Sequence, residues 1–124
     1  MNKCIFCNEN NFDIIYSNDL FYVIRDKYPV TEKHTLIIFK DHKKNYFDLK
    51  DKEIIQLNNI IKFQREDLLR KDKNISGFNV GVNIGENAGQ TVMHLHVHLI
   101  PRRKGDVQDP RGGVRGVIPK KQKY

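Results

Sequence analysis

The segment 94–100 constrains the fold of this 124-residue chain more than any other. Three histidines alternate there with aliphatic residues, in the order His94-Leu95-His96-Val97-His98-Leu99-Ile100. Strict alternation is typical of a β-strand whose two faces meet different environments. At a rise of about 3.3 Å per residue, the three imidazoles lie on one face and the aliphatic side chains enter a core. The alternative is a solvated edge strand, but such a row of imidazoles is a poor β-surface unless it binds something.

Four further apolar segments predict strands. They are short, rich in β-branched and aromatic residues, and separated by turn-forming residues such as Ser17-Asn18-Asp19. Together with the histidine segment they predict a sheet built from residues 12–16, 20–25, 34–39, 78–84 and 94–100.

One long helix is predicted over residues 51–71. Ile54, Leu57, Ile61 and Leu68 recur there at multiples of three and four residues, and Asp51 is the expected N-cap. The order β-β-β-α-β-β favours an α+β fold in which helices pack separately from an antiparallel sheet. Beyond Pro101 the glycines and prolines predict no regular structure.

Length and composition indicate one small domain, since 124 residues with 39% hydrophobic content support a single modest core. No apolar run approaches the roughly 18 residues of a membrane span. The amino-terminal residues lack the basic and apolar pattern of a secretory signal. We therefore expect a cytoplasmic protein with no membrane partner.

The net charge of +7 is concentrated at one end. Residues 101–124 carry eight basic and two acidic side chains, a net charge of +6, which leaves +1 for the first 100 residues. Such a tail suits a polyanionic ligand, because its field concentrates anions nearby, but a merely solubilising tail fits equally well. Basic and stacking aromatic residues do not interleave as they do in nucleic-acid platforms, so we expect no specific nucleic-acid partner.

The two cysteines form the segment Cys4-Ile5-Phe6-Cys7. A Cys-x₂-Cys pair is half of a metal site, a redox pair or a coincidence. Redox pairs normally follow a strand and open a helix, which this position does not offer. A zinc site needs two more ligands, and histidines are the remaining candidates.

The histidine segment also resembles the histidine triad family, whose pattern His-φ-His-φ-His-φ-φ (φ apolar) residues 94–100 match at every position. The flanks Ala88-Gly89-Gln90-Thr91-Val92 and Pro101-Arg102-Arg103-Lys104-Gly105-Asp106 resemble the branch that hydrolyses dinucleoside polyphosphates. The resemblance runs from Cys4 to about Pro119. It implies a domain over residues 1–105, with a zinc-binding segment at 1–10 and a basic extension at 106–124. It also implies helices on one face of the sheet and a homodimer.

By this resemblance, zinc is held by the cysteine pair and two histidines, namely Cys4, Cys7, His42 and His94. Four protein ligands leave no open position, so the zinc would be structural. The alternative is a thiol pair that binds no metal and a surface His42.

The resemblance assigns the reaction to His96. A neutral imidazole is a good nucleophile near pH 7, and attack on an α-phosphorus would give a nucleotidyl-histidine intermediate. His98 would bind the phosphoryl oxygens, and His34 would support the same pocket. His94 would serve zinc first and catalysis second.

Substrate contacts are implied at five positions. Phosphate would be bound by the glycine-containing loop 85–91 and by Asn83, Gln90 and Thr91. Asp26 would hydrogen-bond the ribose, although on its own it reads as a turn residue, and Ile24 would flank the base, although a core role is the simpler interpretation.

The expected activity is hydrolysis of dinucleoside polyphosphates, such as diadenosine tetraphosphate. A nucleoside phosphoramidate hydrolase and a non-catalytic nucleotide sensor are the alternatives. Two departures from the family pattern affect the pocket rim: Lys33 stands where the family has glycine, and Phe39-Lys40 stands where it has Pro-Lys. If the first position requires a positive φ, Lys33 is strained.

Overall fold

The computed structural model describes residues 4–124, and the predicted α+β fold is confirmed. The strands and the helix are β1 (Tyr16–Ser17), β2 (Phe21–Arg25), β3 (Thr35–Phe39), α1 (Asp51–Lys71), β4 (Ile75–Gly81) and β5 (His96–Arg103). The sheet has the strand order β1-β2-β3-β5-β4, and all its strand pairs are antiparallel. Within the described residues, no helix is long and apolar enough to cross a membrane.

The two faces of the sheet are covered by different parts of the chain. Helix α1 covers one face, where Leu57 and Ile60 pack with Leu95 and Val97 in the larger core. The opposite face carries His96 and His98, because they pair with Ile38 and Leu36 and paired residues share a face. The amino-terminal segment covers part of this histidine face, with Phe6 and Phe12 packed on Tyr22, Ile24, Leu36 and Ile38.

Helix α1 has the predicted bounds, but its predicted N-cap is wrong. Lys50 occupies the N-cap position and Asp51 is the first helical residue. The carboxylate of Glu53 accepts the Lys50 N–H at 2.7 Å, so the acidic side chain that binds a main-chain N–H at the start of this helix belongs to Glu53 rather than to Asp51.

Three predicted strands differ from the observed ones. The strand predicted at 94–100 begins only at His96 and runs to Arg103, so His94 precedes the strand instead of sharing its face. The strand predicted at 12–16 reduces to Tyr16–Ser17, because Phe12 turns onto the ring of Phe6 at a centroid distance of 5.6 Å. The strand predicted at 78–84 lies at Ile75–Gly81 instead. Residues 75–77 lack the alternation that marked the prediction, yet they pair with Arg102 and Arg103 across a register shift.

The chain beyond Pro101 is more regular than predicted. Strand β5 continues to Arg103, and 3-10 helices follow at Gly113–Val117 and Pro119–Lys121. The Arg115 guanidinium donates to the carbonyl oxygens of Lys121 and Gln122, at 3.0 and 3.2 Å. One side chain therefore satisfies main-chain groups that composition alone assigns to an unstructured tail.

Candidate active site and metal centre

His96 is the first residue of strand β5, and one hydrogen bond defines the tautomer of its imidazole. Its Nδ1 lies 2.8 Å from the main-chain oxygen of His94. Because a carbonyl oxygen only accepts, Nδ1 carries the proton and Nε2 keeps the lone pair. The Phe6 ring packs edge-on against the imidazole, at a centroid distance of 5.0 Å. In its neutral form, His96 therefore presents the lone pair of Nε2 on a half-buried ring held from two sides.

His34 and His98 form a hydrogen-bonded pair beside His96. The Val30 N–H donates to Nδ1 of His34 at 3.0 Å, which leaves the His34 proton on Nε2. That Nε2 lies 2.9 Å from Nδ1 of His98 and donates to it. The remaining His98 proton is therefore on its Nε2. A main-chain N–H thus sets the tautomer of two successive imidazoles.

Burial keeps both imidazoles of this pair neutral at pH 7. Burial, reinforced by repulsion from His96 and His34, lowers the pKa of His98 to about 4. Burial also lowers the pKa of His34, although the Asp26 carboxylate, 3.6 Å from its Nε2, opposes this shift. His98 is therefore a neutral hydrogen-bond donor rather than a cation.

Cys4, Cys7, His42 and His94 converge on one point, with one ligand atom of each within 4.8 Å of the others. Nδ1 of His94 lies 3.4 Å from both sulfurs and 3.2 Å from Nδ1 of His42. Zinc–ligand bonds of 2.0–2.3 Å at tetrahedral angles separate two nitrogens by about 3.3 Å and a sulfur from a nitrogen by about 3.6 Å. The donor set and its spacing fit a tetrahedral zinc ion.

His94 connects this cluster to the triad. Its side chain is fully buried, and the Nε2–H donates to the main-chain oxygen of Phe39 at 2.5 Å. This hydrogen bond leaves Nδ1 for the cluster, the arrangement usual for metal-binding histidines. Its carbonyl oxygen accepts the His96 proton described above. Both ring nitrogens of His94 are thus occupied away from any substrate.

The loop between β4 and β5 is built around Gln90. Its Oε1 accepts the Gly85 N–H at 2.9 Å, and its Nε2 donates to the oxygens of Lys44 and Val92 at 2.6 and 3.2 Å. The side chain is only 3% exposed. Gly85 and Gly89 have φ values of +92° and +93°, which glycine adopts without strain. Of the other predicted phosphate ligands, Asn83 is half-buried and Thr91 is exposed.

Ile24 lies within β2, and Asp26 follows the last residue of that strand. Asp26 caps a turn, since its Oδ1 accepts the Tyr28 N–H at 2.9 Å, and its other oxygen faces His34. Ile24 is 2% exposed within the core of the histidine face. It also borders a recess of about 330 Å³ that Phe12 and Lys27 line with it, here named the β2 recess.

Lys33 adopts the conformation that its family counterpart suggested. Its φ is +71°, and it is the one non-glycine residue with a positive φ among residues 4–124. The strain falls immediately before His34, whose N–H and C=O bond to Thr31 and Asp26. The tight turn that presents His34 therefore requires this backbone geometry.

Sequence reasoning missed the groups that orient the histidines. Phe6 contacts His96, Val30 sets the tautomer of His34, and Phe39 fixes the ring of His94. Val30 and Phe39 act through main-chain atoms, which every residue type has, so the sequence gives no signal for them. The Phe6 contact had one available signal, its position inside the Cys-x₂-Cys segment.

Comparison with known proteins gives a consistent assignment. A model of the HIT domain matches residues 8–105. An uncharacterised HIT-like protein of Saccharolobus solfataricus is 32% identical over 123 residues, 96% of this chain and 85% of that protein. A zinc-bound histidine triad family protein from Mycobacterium smegmatis superposes with a TM-score of 0.74 at 30% identity, over 86% of this chain and 80% of that one. The diadenosine triphosphate hydrolase of Plasmodium falciparum superposes with a TM-score of 0.70 at 30% identity, over 77% and 65%. The chain belongs to the HIT domain family.

Proposed function

We propose that this protein hydrolyses dinucleoside polyphosphates at an α-phosphate, through a nucleotidyl intermediate on His96. The observation that carries the proposal is the tautomer arrangement of the triad. His96 offers a lone pair on Nε2, and His98 beside it offers a proton on Nε2. A nucleophile next to a neutral hydrogen-bond donor suits attack at the phosphorus of an anionic phosphate, because an anionic side chain in the donor's place would repel the substrate.

In the first step, Nε2 of His96 attacks the α-phosphorus. A nitrogen–phosphorus bond forms as the bond to the bridging oxygen breaks, and the remaining nucleotide leaves as an anion. In the second step, water attacks the same phosphorus, the nitrogen–phosphorus bond breaks, and the water proton passes to solvent. The carbonyl of His94 holds the Nδ1 proton of His96 throughout, which stabilises the positive charge that develops on the ring.

His98 and His34 act on the phosphoryl oxygens in this proposal. The Nε2–H of His98 donates to a non-bridging oxygen, and its low pKa keeps it a donor across the neutral range. His34 is a positioning residue, because it touches His98 rather than the reacting atoms.

Cys4, Cys7, His42 and His94 would hold zinc in this proposal, and with four protein ligands the ion would supply structure rather than chemistry. It would tie the amino-terminal segment, which carries Phe6, to His94, two residues before the first residue of β5. The zinc-bound relative from Mycobacterium smegmatis supports this assignment.

In and beside the loop 85–91, between β4 and β5, we assign two different roles to the polar residues. Both ends of the Gln90 side-chain amide bond to main-chain groups, so Gln90 shapes the loop. Asn83 and Thr91 then provide the side-chain contacts to the α-phosphate and the bridging oxygen. Asp26 would bind the ribose, and Ile24 with the β2 recess would hold the base.

We also propose that the protein is a homodimer. Strand β4 forms one edge of the sheet, and Val80 on this edge is 46% exposed. Ile55 on α1 is 61% exposed and lines the same apolar depression as Val80, together with Ile54 and Val82. A second copy would bury this surface. The segment 106–124 would be an extension of the domain.

The test compares the wild-type protein with His96→Ala. We expect the wild type to cleave diadenosine tetraphosphate and the variant to lose cleavage while still binding adenosine monophosphate in calorimetry. Unchanged turnover in the variant would remove His96 from its role. A wild-type preference for an adenosine phosphoramidate by orders of magnitude would replace the proposed substrate class, and binding without cleavage of either compound would favour a sensor.

A further inference from the structure

The histidine face carries a second recess, on the side opposite the β2 recess. It has a volume of about 740 Å³ and lies at the β4 edge of the sheet. Gly77, Asn79, Arg102, Lys104 and Gly113 are among its lining residues, and we name it the β4 recess. We propose that it binds the leaving half of a two-ended substrate, the distal phosphates and the second nucleoside of a dinucleoside polyphosphate. The inference rests on the proposed function.

The register of the sheet places this recess in line with the triad. His98, Ile100 and Arg102 alternate along β5 and therefore share the histidine face. Their partners on β4 are Gly81, Asn79 and Gly77, respectively. Two of the three β4 positions on this face have no side chain. Gly81 beside His98 and Gly77 beside Arg102 therefore add no side chain at either end of this path. Between them, Ile100 and Asn79 form the surface along which a chain of phosphates would lie, and Asn79 is fixed by its hydrogen bond from the Arg102 guanidinium.

The spacing suits such a substrate. His98 and Arg102 are four residues apart on one strand, which corresponds to roughly 13 Å. An attacked phosphorus near His98 would place the far end of a polyphosphate, with its ribose, at the β4 recess. The volume of this recess falls within the range of about 300–1,000 Å³ common for small-molecule pockets.

The walls of the recess combine fixed polar groups with one exposed cation. The Arg102 guanidinium is held by both oxygens of Asp106 at 2.8 and 2.9 Å and by Asn79 at 2.7 Å. Its charge is thus largely balanced, and it serves as a rigid wall that presents N–H groups. Lys104 is exposed at the rim and supplies the positive charge that would attract the distal phosphates.

The carboxy-terminal segment completes this recess. Pro110 and Gly113 line it, and a Cβ at Gly113 would lie 3.4 Å from Nδ2 of Asn79. The basic tail therefore borders the pocket of its own chain. This position gives the folded segment 106–124 a role in substrate length selection.

The experiment compares two substrates that share the nucleoside and the attacked phosphorus. One is diadenosine tetraphosphate, and the other is the p-nitrophenyl ester of adenosine 5′-monophosphate, whose leaving group is too short to reach the β4 recess. The variants are Gly77→Leu, which fills the recess, and Lys104→Glu, which reverses the rim charge. The matched controls are Gly77→Ala, whose methyl group makes only an ordinary 3.8 Å contact with Arg102, and Lys62→Glu, an equal charge change on α1.

We expect Gly77→Leu and Lys104→Glu each to lower kcat/KM for the dinucleotide at least fivefold while that for the ester stays within twofold of wild type. The two control variants should leave the ratio of kcat/KM for the dinucleotide to kcat/KM for the ester unchanged. Equal effects on both substrates, or on neither, would overturn the inference while the proposed chemistry stands. Cleavage of the ester alone by the wild type would also overturn it. If the wild type cleaves neither substrate, the proposed function itself fails. Lys104→Glu decides the matter if Gly77→Leu does not fold.

Discussion

Replacing Lys33 by glycine should make the protein more stable, although it removes a side chain. Lys33 holds a φ of +71° in the turn before His34. In the left-handed region, the Cβ of an L-residue approaches the carbonyl oxygen, at a cost of about 1–2 kcal/mol. Glycine has no Cβ and adopts this conformation without that cost.

The expected gain is smaller than the strain relieved. Glycine has more conformational freedom in the unfolded chain, which offsets about 0.5–1 kcal/mol. The net increase in the free energy of unfolding is then about 0.5–1 kcal/mol. For a 124-residue domain, an unfolding entropy of about 2.1 cal/mol/K per residue converts this into a rise in Tm of about 2–4 °C.

The assay is thermal unfolding at pH 7, followed by calorimetry, with Lys33→Ala as the matched control. Lys33 also helps to lower the pKa of Asp72, and alanine removes this charge effect while keeping the Cβ. Lys33→Ala should therefore have a Tm close to that of the wild type. A Tm for Lys33→Gly no higher than that for Lys33→Ala would refute the argument that this position is strained.

Three further predictions concern the site. First, the pKa of His98 is about 4 in the folded protein and about 6.5 in the unfolded chain, so the free energy of unfolding should fall as the pH drops from 6.5 towards 4, by at most about 3 kcal/mol. His98→Asn should flatten this dependence of Tm on pH, and an unchanged slope would contradict the lowered pKa. Second, protein purified without added metal should carry about one zinc per chain by elemental analysis and should lose stability in chelator. Cys7→Ser should lose most of the metal. Less than about half a zinc per chain in the wild type would count against the site. Third, Gln90→Ala should lower the free energy of unfolding in urea by about 1–3 kcal/mol, because the buried main-chain groups it serves lose their partner, and an unaffected midpoint would argue against its role in the loop.

The parts of the fold that could be predicted are those whose apolar residues follow a regular helical or strand spacing. The spacing of Ile54, Leu57, Ile61 and Leu68 predicted helix α1 with its observed bounds, because a long amphipathic stripe has only one satisfactory packing. The alternation around His96 likewise separated the two faces of β5 correctly. Edge segments carried no such signal. Residues 75–77 form a strand because a neighbour offers hydrogen bonds, and their own sequence does not alternate.

The candidate site was predictable in its residue types but not in its protonation. The triad, His34 and the Cys-x₂-Cys pair stand out from the sequence, and the structure brings each group together. The tautomers depend on the carbonyl of His94 and the N–H of Val30, whose positions follow from tertiary structure. The β4 recess was equally hard to predict, because it depends on Gly77 lying beside Arg102 in the β4–β5 pair rather than on any local motif.

The central claim is that Nε2 of His96 bonds covalently to phosphorus during turnover. The most direct measurement is mass spectrometry of the protein after rapid quenching of a reaction with diadenosine tetraphosphate, under conditions that preserve phosphoramidates. We predict an adenylyl group on the peptide that contains His96, appearing and decaying at rates compatible with kcat and absent from His96→Ala. Turnover by the wild type with no adduct at any time, or with the adduct on another residue, would contradict the account.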